Sequence, residues 1–307
     1  MQRFILVLLL ILFSQAPVAW AQHSDDKSNR GQLALYQDSL LIFSHEMVNN
    51  GGEPERYNAS YSFIKTLVKA LKTPNSFNFN FDSLKSITIQ TSPDRKFRIF
   101  SWSVMNNDGS YRYYGTIQMN TPDGKLQMHP LIDFSSEIKN PADTITSNEK
   151  WYGAQYYSII PVTNNVRVPY YVLLGWKGNT VKSNKKVIEV LSFKDGKAQF
   201  GMPVFDGDKD LPNKKRVIFE YTRKASMVLN YTPKDGMIVF DHLAPPDPKL
   251  EGKYDMYGPD FSYDGYKLVN GRWKLLSDLQ LKNPPTHKDD QFNDPKTIGG
   301  GRLPRKN

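Results

Sequence analysis

The sequence has 307 residues, a formal net charge of +9 at pH 7 and no cysteine. The lack of cysteine excludes a disulfide scaffold, a zinc–thiolate site and a lipid anchor on an N-terminal cysteine. Aromatic residues form 13% of the chain, so we expect an aromatic core in place of disulfides. Basic clusters such as Lys214-Lys215-Arg216 are small and lie among acidic residues, which indicates a solvated surface and no nucleic-acid site.

The first 21 residues have the pattern of a cleavable secretory signal peptide. Arg3 supplies a positive charge, and an apolar run from Phe4 to Phe13 follows it. Ala19-Trp20-Ala21 matches the small-x-small cleavage pattern, which places the cut before Gln22. The apolar run is too short to span a bilayer, which takes about 20 residues. The sequence therefore predicts an exported protein without a membrane span, either periplasmic or secreted, in a bacterial envelope.

Two helices are predicted after this segment. Residues 22–30 are polar and predict a disordered spacer. Apolar residues then recur at three- and four-residue spacings from Leu33 to Val48, which predicts an amphipathic helix. A second helix is predicted over 59–72, and Pro74 ends it. Because the connection is short, residues 31–75 should form a helical hairpin subdomain.

Residues 76–281 predict an antiparallel β domain. Its segments are rich in β-branched and aromatic residues and are bounded by turn formers. At several boundaries Asn or Asp precedes Gly, which is the signature of a hairpin: 107–109, 123–124, 195–196, 235–236 and 270–271. The predicted strands are 85–90, 97–104, 111–119, 125–130, 156–160, 170–176, 186–193, 198–205, 216–221, 226–231, 237–243, 266–269 and 272–276.

The predicted fold class is mostly β, an antiparallel sandwich-like arrangement or an irregular large sheet with an N-terminal α-helical hairpin. A β-propeller-like fold is the alternative, because Ser92–Phe100 resembles a run common in propeller blades and later segments repeat it faintly. Residues 282–307 are rich in Pro and Gly and predict a disordered tail.

Four residues near the end of the β region are candidate catalytic residues. Asp241 and His242 follow an apolar run, and Asp260 and Asp264 lie in the aromatic-rich segment downstream. A histidine beside carboxylates at a strand end suits acid–base catalysis or metal binding, which would fit a hydrolase. The alternative is ordinary turn chemistry, since Gly-Pro-Asp and Asp-Gly are turn sequences.

Asp206, Asp208 and Asp210 are candidate metal ligands. Alternating carboxylates begin many calcium loops. The pattern then departs from such a loop, with Leu211 at the sixth position and Val217 at the twelfth. Calcium is the only cofactor that the sequence suggests, and a plain acidic hairpin loop is the alternative. The histidines show no zinc-ligand spacing.

Trp151, Tyr152, Tyr170 and Trp176 are candidate ligand-binding residues. They cluster in the β region, and exposed aromatic rings on β modules can stack on the apolar faces of sugars. The alternative is that these rings form the core.

Three segments carry a resemblance: Phe219–Tyr221 with Ala225 and Met227, Ile238–Leu243, and Tyr257–Gly265. They resemble a group of exported Bacteroidetes proteins with no assigned activity. The resemblance implies an envelope location and supplies no catalytic residue. The leading hypothesis is a binding or interaction module of the bacterial envelope, with a glycan or an envelope component as its partner. A hydrolase and a structural envelope component are the alternatives.

Overall fold

The computed structural model describes residues 16–207 and 214–279, with side chains from residue 27 onward. Helix α1 spans Ala16–Asn49 and helix α2 spans Glu53–Lys72. The structure places residues 22–30 inside α1, where the sequence predicted a spacer; no Gly or Pro interrupts that stretch. Helix α2 begins earlier than predicted because Pro54 and two glutamates suit the first turn of a helix. The two helices pack against each other as the predicted hairpin.

Within the described residues, fifteen strands form three sheets. In chain order the strands are β1 Thr88–Thr91, β2 Phe97–Met105, β3 Tyr111–Met119, β4 Met128–Ile132, β5 Thr146–Ser147, β6 Gln155–Val162, β7 Tyr170–Gly178, β8 Ser183–Lys194, β9 Lys197–Phe200, β10 Phe205–Asp206, β11 Val217–Thr222, β12 Leu229–Thr232, β13 Met237–Ala244, β14 Gly258–Val269 and β15 Arg272–Leu276.

The first sheet has the order β1-β2-β3-β4. The second sheet has the order β5-β9-β8-β7-β6, with β11 also paired to β8, and the third has the order β10-β15-β14-β13-β12. The strand pairs are antiparallel except for β10 with β15. The prediction of a mostly β, antiparallel fold behind a helical hairpin is therefore confirmed.

The helices and the three sheets stack as four layers, held by three apolar clusters. On β2, Phe100 and Trp102 pack toward the helices, whereas Phe97 and Ile99 pack toward the second sheet. The third cluster joins the other face of the second sheet to the third sheet. Alternate side chains of a strand point to opposite faces, so β2 and β7 each contribute to two cores. The described residues therefore form an open stack with helices on its first face, and not the ring of blades of a propeller.

The Asn-Gly and Asp-Gly turns lie where the sequence placed them. Asp195 and Gly196 join β8 to β9 with φ of 51° and 73°, and Asn270 and Gly271 join β14 to β15 with φ of 52° and 73°. Positive φ at both central residues matches the right-handed twist of the paired strands. These turns fix the register of the two hairpins.

Strand β14 is longer than the sequence predicted, since it begins at Gly258 in a segment assigned to turns. Its pairing with β13 shifts register between Asp241 and Leu243. Opposite that shift, Phe261 has a φ of 72° and is 95% exposed. The turn-forming residues lie in a bulge of this strand, so the sequence pattern does not indicate a strand there.

In the described part of the chain, neither helix combines the length and the apolar character that crossing a bilayer requires.

A buried ion pair ties the loop before β5 to the second sheet. Arg216 and Glu189 have fully buried side chains, with 2.7 Å between Arg216 Nε and Glu189 Oε2. The Arg216 guanidinium also donates to the carbonyls of Pro141 and Thr144. Arg216 therefore belongs to the interior, although the sequence placed its basic cluster on a solvated surface.

Candidate functional site

His242 and Asp264 are in contact, as a site at the end of β13 would require. The distance from His242 Nδ1 to Asp264 Oδ2 is 2.8 Å, and the other oxygen of Asp264 accepts a hydrogen bond from the Asp278 amide at 2.9 Å. The side chain of His242 is 48% exposed. This pair is the part of the predicted catalytic group that the structure brings together.

The other two predicted carboxylates bind backbone amides. Asp241 is buried and accepts from the Val228 amide at 2.6 Å. Asp260 accepts from the amide and the hydroxyl of Ser262 at 3.0 and 2.7 Å, and these hydrogen bonds lower the pKa of Asp260. Such bonds hold a bulge and a turn in place. Catalysis by the four residues together stays a prediction that their geometry does not favour.

Asp206, the first of the predicted calcium ligands, forms a bidentate ion pair with Arg272 at 2.5 and 2.7 Å. The hydrogen bonds from Arg272 lower the pKa of Asp206. Asp208 and Asp210 lie outside the described residues. Within the two described ranges, no group of three His, Asp or Glu side chains is placed to hold a metal. Asp206 therefore has a structural role that calcium binding would have to disrupt.

Two of the predicted ligand-binding aromatics lie in the core. Trp151 is 0% exposed and donates its Nε1–H to the Tyr156 hydroxyl at 2.8 Å. Tyr170 is 1% exposed and donates to the Gly271 carbonyl at 2.9 Å. Neither ring can act as an exposed platform, so the aromatic-core alternative describes both.

The other two predicted aromatics lie at or beside a cavity between the first and second sheets. This cavity, called here the Lys177 cavity, has a volume of about 370 Å³. Tyr152 lines it, and Trp176 packs edge-to-face on Tyr111, which also lines it, with 5.5 Å between ring centroids. Its polar and charged lining residues include Arg112, Tyr113, Asp133, Ser135, Lys177 and Lys185.

Lys177 is a buried cation in the wall of this cavity. It lies near the end of the apolar strand β7 and is only 5% exposed. Its Nζ donates to Ser135 Oγ at 2.8 Å and to the Gly153 carbonyl at 2.7 Å. It also lies over the rings of Tyr113 and Tyr152, at 4.1 and 4.6 Å from their centroids. The ammonium is thus held by a hydroxyl, a carbonyl and two rings, rather than by a carboxylate.

Burial lowers the pKa of Lys177 to about 7. The nearby carboxylate of Asp133 opposes this shift, and the positive charge of Lys185 adds to it. Removal of water penalises the charged form of an amine, and neutral hydrogen-bond acceptors offset only part of that cost. Lys177 therefore changes its charge near neutral pH.

Asp133 organises the loop that faces Lys177. One carboxylate oxygen accepts from the Tyr113 amide at 2.9 Å, and the other accepts from the amide and the hydroxyl of Ser135 at 3.0 and 2.5 Å. The Ser135 hydroxyl consequently lies between the Asp133 carboxylate and the Lys177 ammonium.

Close backbone packing shapes the same wall. A Cβ on Gly153 would lie 2.3 Å from the Cβ of Tyr113, so only glycine lets this segment approach and present its carbonyl to Lys177.

The charge of the cavity is positive. Arg112, Lys177 and Lys185 line it together with a single carboxylate, that of Asp133. Lys185 is paired with Glu220 at 3.2 Å, and Glu220 also accepts from Asn179. Asp133 and Glu220 together offset two of the three cationic charges, so with Lys177 protonated a net charge of about one positive unit remains around the cavity.

A second cavity, of about 380 Å³, lies beside β1. Its buried cation, Arg98, donates to the carbonyls of Ser76 and Phe79 and to the Gln118 side chain at 2.6 to 2.8 Å. Protein groups already accept the hydrogen bonds of this guanidinium. The charge of Arg98 is therefore less available to a ligand in the second cavity than the charge of Lys177 is in the Lys177 cavity.

Lys177, Asp133 and Ser135 were not among the residues predicted from the sequence. The available signal was a lone charge in the otherwise apolar segment from Tyr170 to Gly178. A charged residue is almost never fully buried unless it is partnered, so such a lysine indicates either a strand end or a site.

The described residues form a mostly β protein of three stacked antiparallel sheets, with a cavity lined by cationic side chains between the first two sheets. No family model, no curated protein and no solved structure matches the chain. The resemblance to exported Bacteroidetes proteins stays a prediction.

Proposed function

We propose that this protein is an exported binding protein of a bacterial envelope that holds a small anionic molecule in the Lys177 cavity. The observation that carries the proposal is a buried ammonium, without a carboxylate partner, in the wall of an open cavity of about 370 Å³. Ligand pockets commonly fall in the range of about 300–1,000 Å³ and contain a few well-placed polar groups.

The electrostatics favour an anion. Protonated Lys177 is desolvated, its two hydrogen-bond acceptors are neutral, and the Asp133 carboxylate offsets its charge only in part. A bound carboxylate would supply the missing countercharge, and Arg112 and Lys185 would add to the attraction. Charge-assisted hydrogen bonds of this kind are roughly twice as strong as neutral ones.

The half-buried ring of Tyr111 favours an acidic sugar among small anions. Tyr111 lines the cavity together with the cations, whereas Tyr113 and Tyr152, which also line it, are almost fully buried. Aromatic rings pack on the apolar faces of sugars, while cations bind a carboxylate. We therefore take uronic acids as the ligand class, which keeps the predicted glycan partner and adds the negative charge.

Isothermal titration calorimetry with glucuronate, and with glucose as the neutral comparison, tests the binding proposal. The wild type should bind glucuronate in preference to glucose. Lys177→Met should weaken glucuronate binding about tenfold or more, because it removes a charged hydrogen-bond donor. Lys182→Met is the matched control, since Lys182 is exposed and does not line the cavity. Equal binding of the two sugars, or unchanged binding by Lys177→Met, would contradict the proposal.

The export part of the proposal rests on the N-terminal pattern and the absence of cysteine. Expression in a bacterial host followed by fractionation and N-terminal sequencing tests it. We expect the protein in the periplasm or the medium, starting at Gln22. Recovery only from the cytoplasm with residues 1–21 attached would contradict it.

A further inference from the structure

We propose that Ser135 and Lys177 form a serine–lysine dyad that hydrolyses small anionic esters in the Lys177 cavity, with Ser135 as the nucleophile and Lys177 as its general base. This inference rests on the proposed function, since the ester has to bind in the same cavity. It assigns a hydrolase activity to residues other than the four predicted from the sequence.

The geometry meets the requirements of an activated nucleophile. Ser135 Oγ is 2.8 Å from Lys177 Nζ, within the reach of a proton transfer. Ser135 is half-buried and lines the cavity, so a substrate can reach its hydroxyl, and Lys177, which is more deeply buried, lines the same cavity. The Gly153 carbonyl holds the amine from another side at 2.7 Å, as a third group orients the base in other catalytic triads.

The surroundings of Lys177 place its charged and its neutral forms in comparable amounts near pH 7, so the neutral form is available as a base. Burial lowers the pKa of Lys177 to about 7. The titratable and charged groups around it are Asp133 from the loop after β4, Tyr113 from β3, Tyr152 from the segment before β6, and Lys185 from β8. An efficient general base has a pKa near the pH at which it works.

Asp133 accepts the hydroxyl proton of Ser135 in a hydrogen bond before the reaction. While Lys177 is charged, the Ser135 hydroxyl donates to Asp133 Oδ1 and accepts from Nζ. Once Nζ has lost its proton, the same hydroxyl can turn and donate to the Nζ lone pair. Asp133 is therefore a positioning residue in this scheme.

In the acylation step, Ser135 Oγ attacks the ester carbonyl carbon while its proton moves to Lys177 Nζ, and the carbonyl oxygen takes the electron pair. The tetrahedral intermediate collapses by breaking the bond to the alkoxide, which takes the proton from Nζ and leaves as an alcohol. Water then attacks the acyl-serine, gives its proton to Nζ, and the acid leaves as the proton returns to Ser135. The charges of Arg112 and Lys185 in the same cavity favour the negative charge on the carbonyl oxygen.

A fluorophosphonate probe tests the dyad, because it labels only serines that a neighbouring base activates. The full-length protein would be labelled at a series of pH values and the site mapped by peptide mass spectrometry. We expect labelling at Ser135, at a rate that rises with pH through a midpoint near 7. Ser135→Ala should abolish the label, and Lys177→Met should slow it about a hundredfold or more. Ser136→Ala is the matched control, since Ser136 lines the same cavity without contacting Lys177.

Several results would overturn the dyad. They are no label on Ser135 in the folded wild type, a labelling rate that does not change with pH in this range, or an unchanged rate in a folded Lys177→Met. If Lys177→Met does not fold, the pH profile of the wild type decides alone. Glucuronate binding without a label at Ser135 would refute the dyad and leave the proposed function standing, whereas loss of both would refute both.

Discussion

Lys177 occupies a position that costs folding free energy. Its ammonium is desolvated, and its neutral partners return only part of the hydration that it loses. A methionine of similar length would fill the same space without that cost. The presence of a lysine in the apolar strand β7 is therefore easier to explain by what the amine does than by its contribution to stability.

The cost has a measurable pH dependence. Between pH 7 and the ordinary lysine pKa of 10.5, the unfolded chain holds a proton on residue 177 that the folded chain has lost. Stability from this group is thus lowest below pH 7 and rises as the pH rises. From pH 7.5 to 9.5, the free energy of unfolding of the wild type should rise relative to Lys177→Met by on the order of 2 kcal/mol.

Urea unfolding of both proteins across this range measures the difference. Tyrosines, histidines and the chain terminus titrate in both proteins, so their contributions largely cancel. Parallel curves for the wild type and Lys177→Met would show that Lys177 keeps an ordinary pKa in the folded state.

The strands and turns of the β region could be predicted from the sequence because their signals are local. Apolar runs with β-branched and aromatic residues mark the strands, and Asp195-Gly196 or Asn270-Gly271 mark the turns through positive φ. The first half of β14 could not be predicted, because Pro259 and the bulge at Phe261 break the pattern. The short β5 has two residues and no pattern of its own.

The candidate site could not be predicted because its contacts are distant in sequence. Lys177 meets Ser135 across 42 residues and Gly153 across 24. The first two sheets must stack before these groups come together. Tyr152 was identified for its aromatic ring, but its contact with a buried cation depends on that stacking. His242 and Asp264 were both predicted as site residues, and they are in contact because they lie on paired neighbouring strands.

The helical hairpin contributes to the same core as the first sheet. Phe63 of α2 is 0% exposed and packs edge-to-face on Trp102 of β2, with 5.0 Å between centroids. Phe63→Ala should lower the free energy of unfolding by about 3–5 kcal/mol, since it leaves a cavity between these layers. Tyr61→Ala, on the exposed face of the same helix, should change it by about 0.5 kcal/mol or less.

Chemical denaturation followed by tryptophan fluorescence and by far-UV circular dichroism measures both variants. Because the helices share a core with the first sheet, the two probes should report one transition. An early loss of helix signal in Phe63→Ala, with an unchanged tryptophan transition, would show that the hairpin folds as an independent unit.

The Lys177 cavity lies at a boundary between two layers of the stack. The first and second sheets share an aromatic core, and the Lys177 cavity lies where that core gives way to polar side chains. The second and third sheets share another apolar cluster, which fixes the opposite face of β7. Lys177 is therefore presented by a strand that is held on both faces, as a preorganised site requires.

The charge of the chain as a whole is less informative than the placement of this one cation. The sequence carries a net charge of +9. Among the described residues Arg56, Arg98 and Arg216 are buried, and protein oxygens accept their hydrogen bonds. Lys177 differs from these three because it lines an open cavity together with two other cationic side chains. Lys177 can serve as the functional cation of this cavity only if its amine is accessible to an anion and titrates near neutral pH.

Heteronuclear NMR of the lysine side chains tests this directly, with the Lys177 signal assigned by its absence in Lys177→Arg. The Cε resonance of Lys177 should titrate with a midpoint near 7. Glucuronate should move that midpoint upward, because a bound anion favours the ammonium form. A midpoint near the ordinary value of 10.5 that glucuronate leaves unchanged would contradict the assignment of this cavity as the functional site.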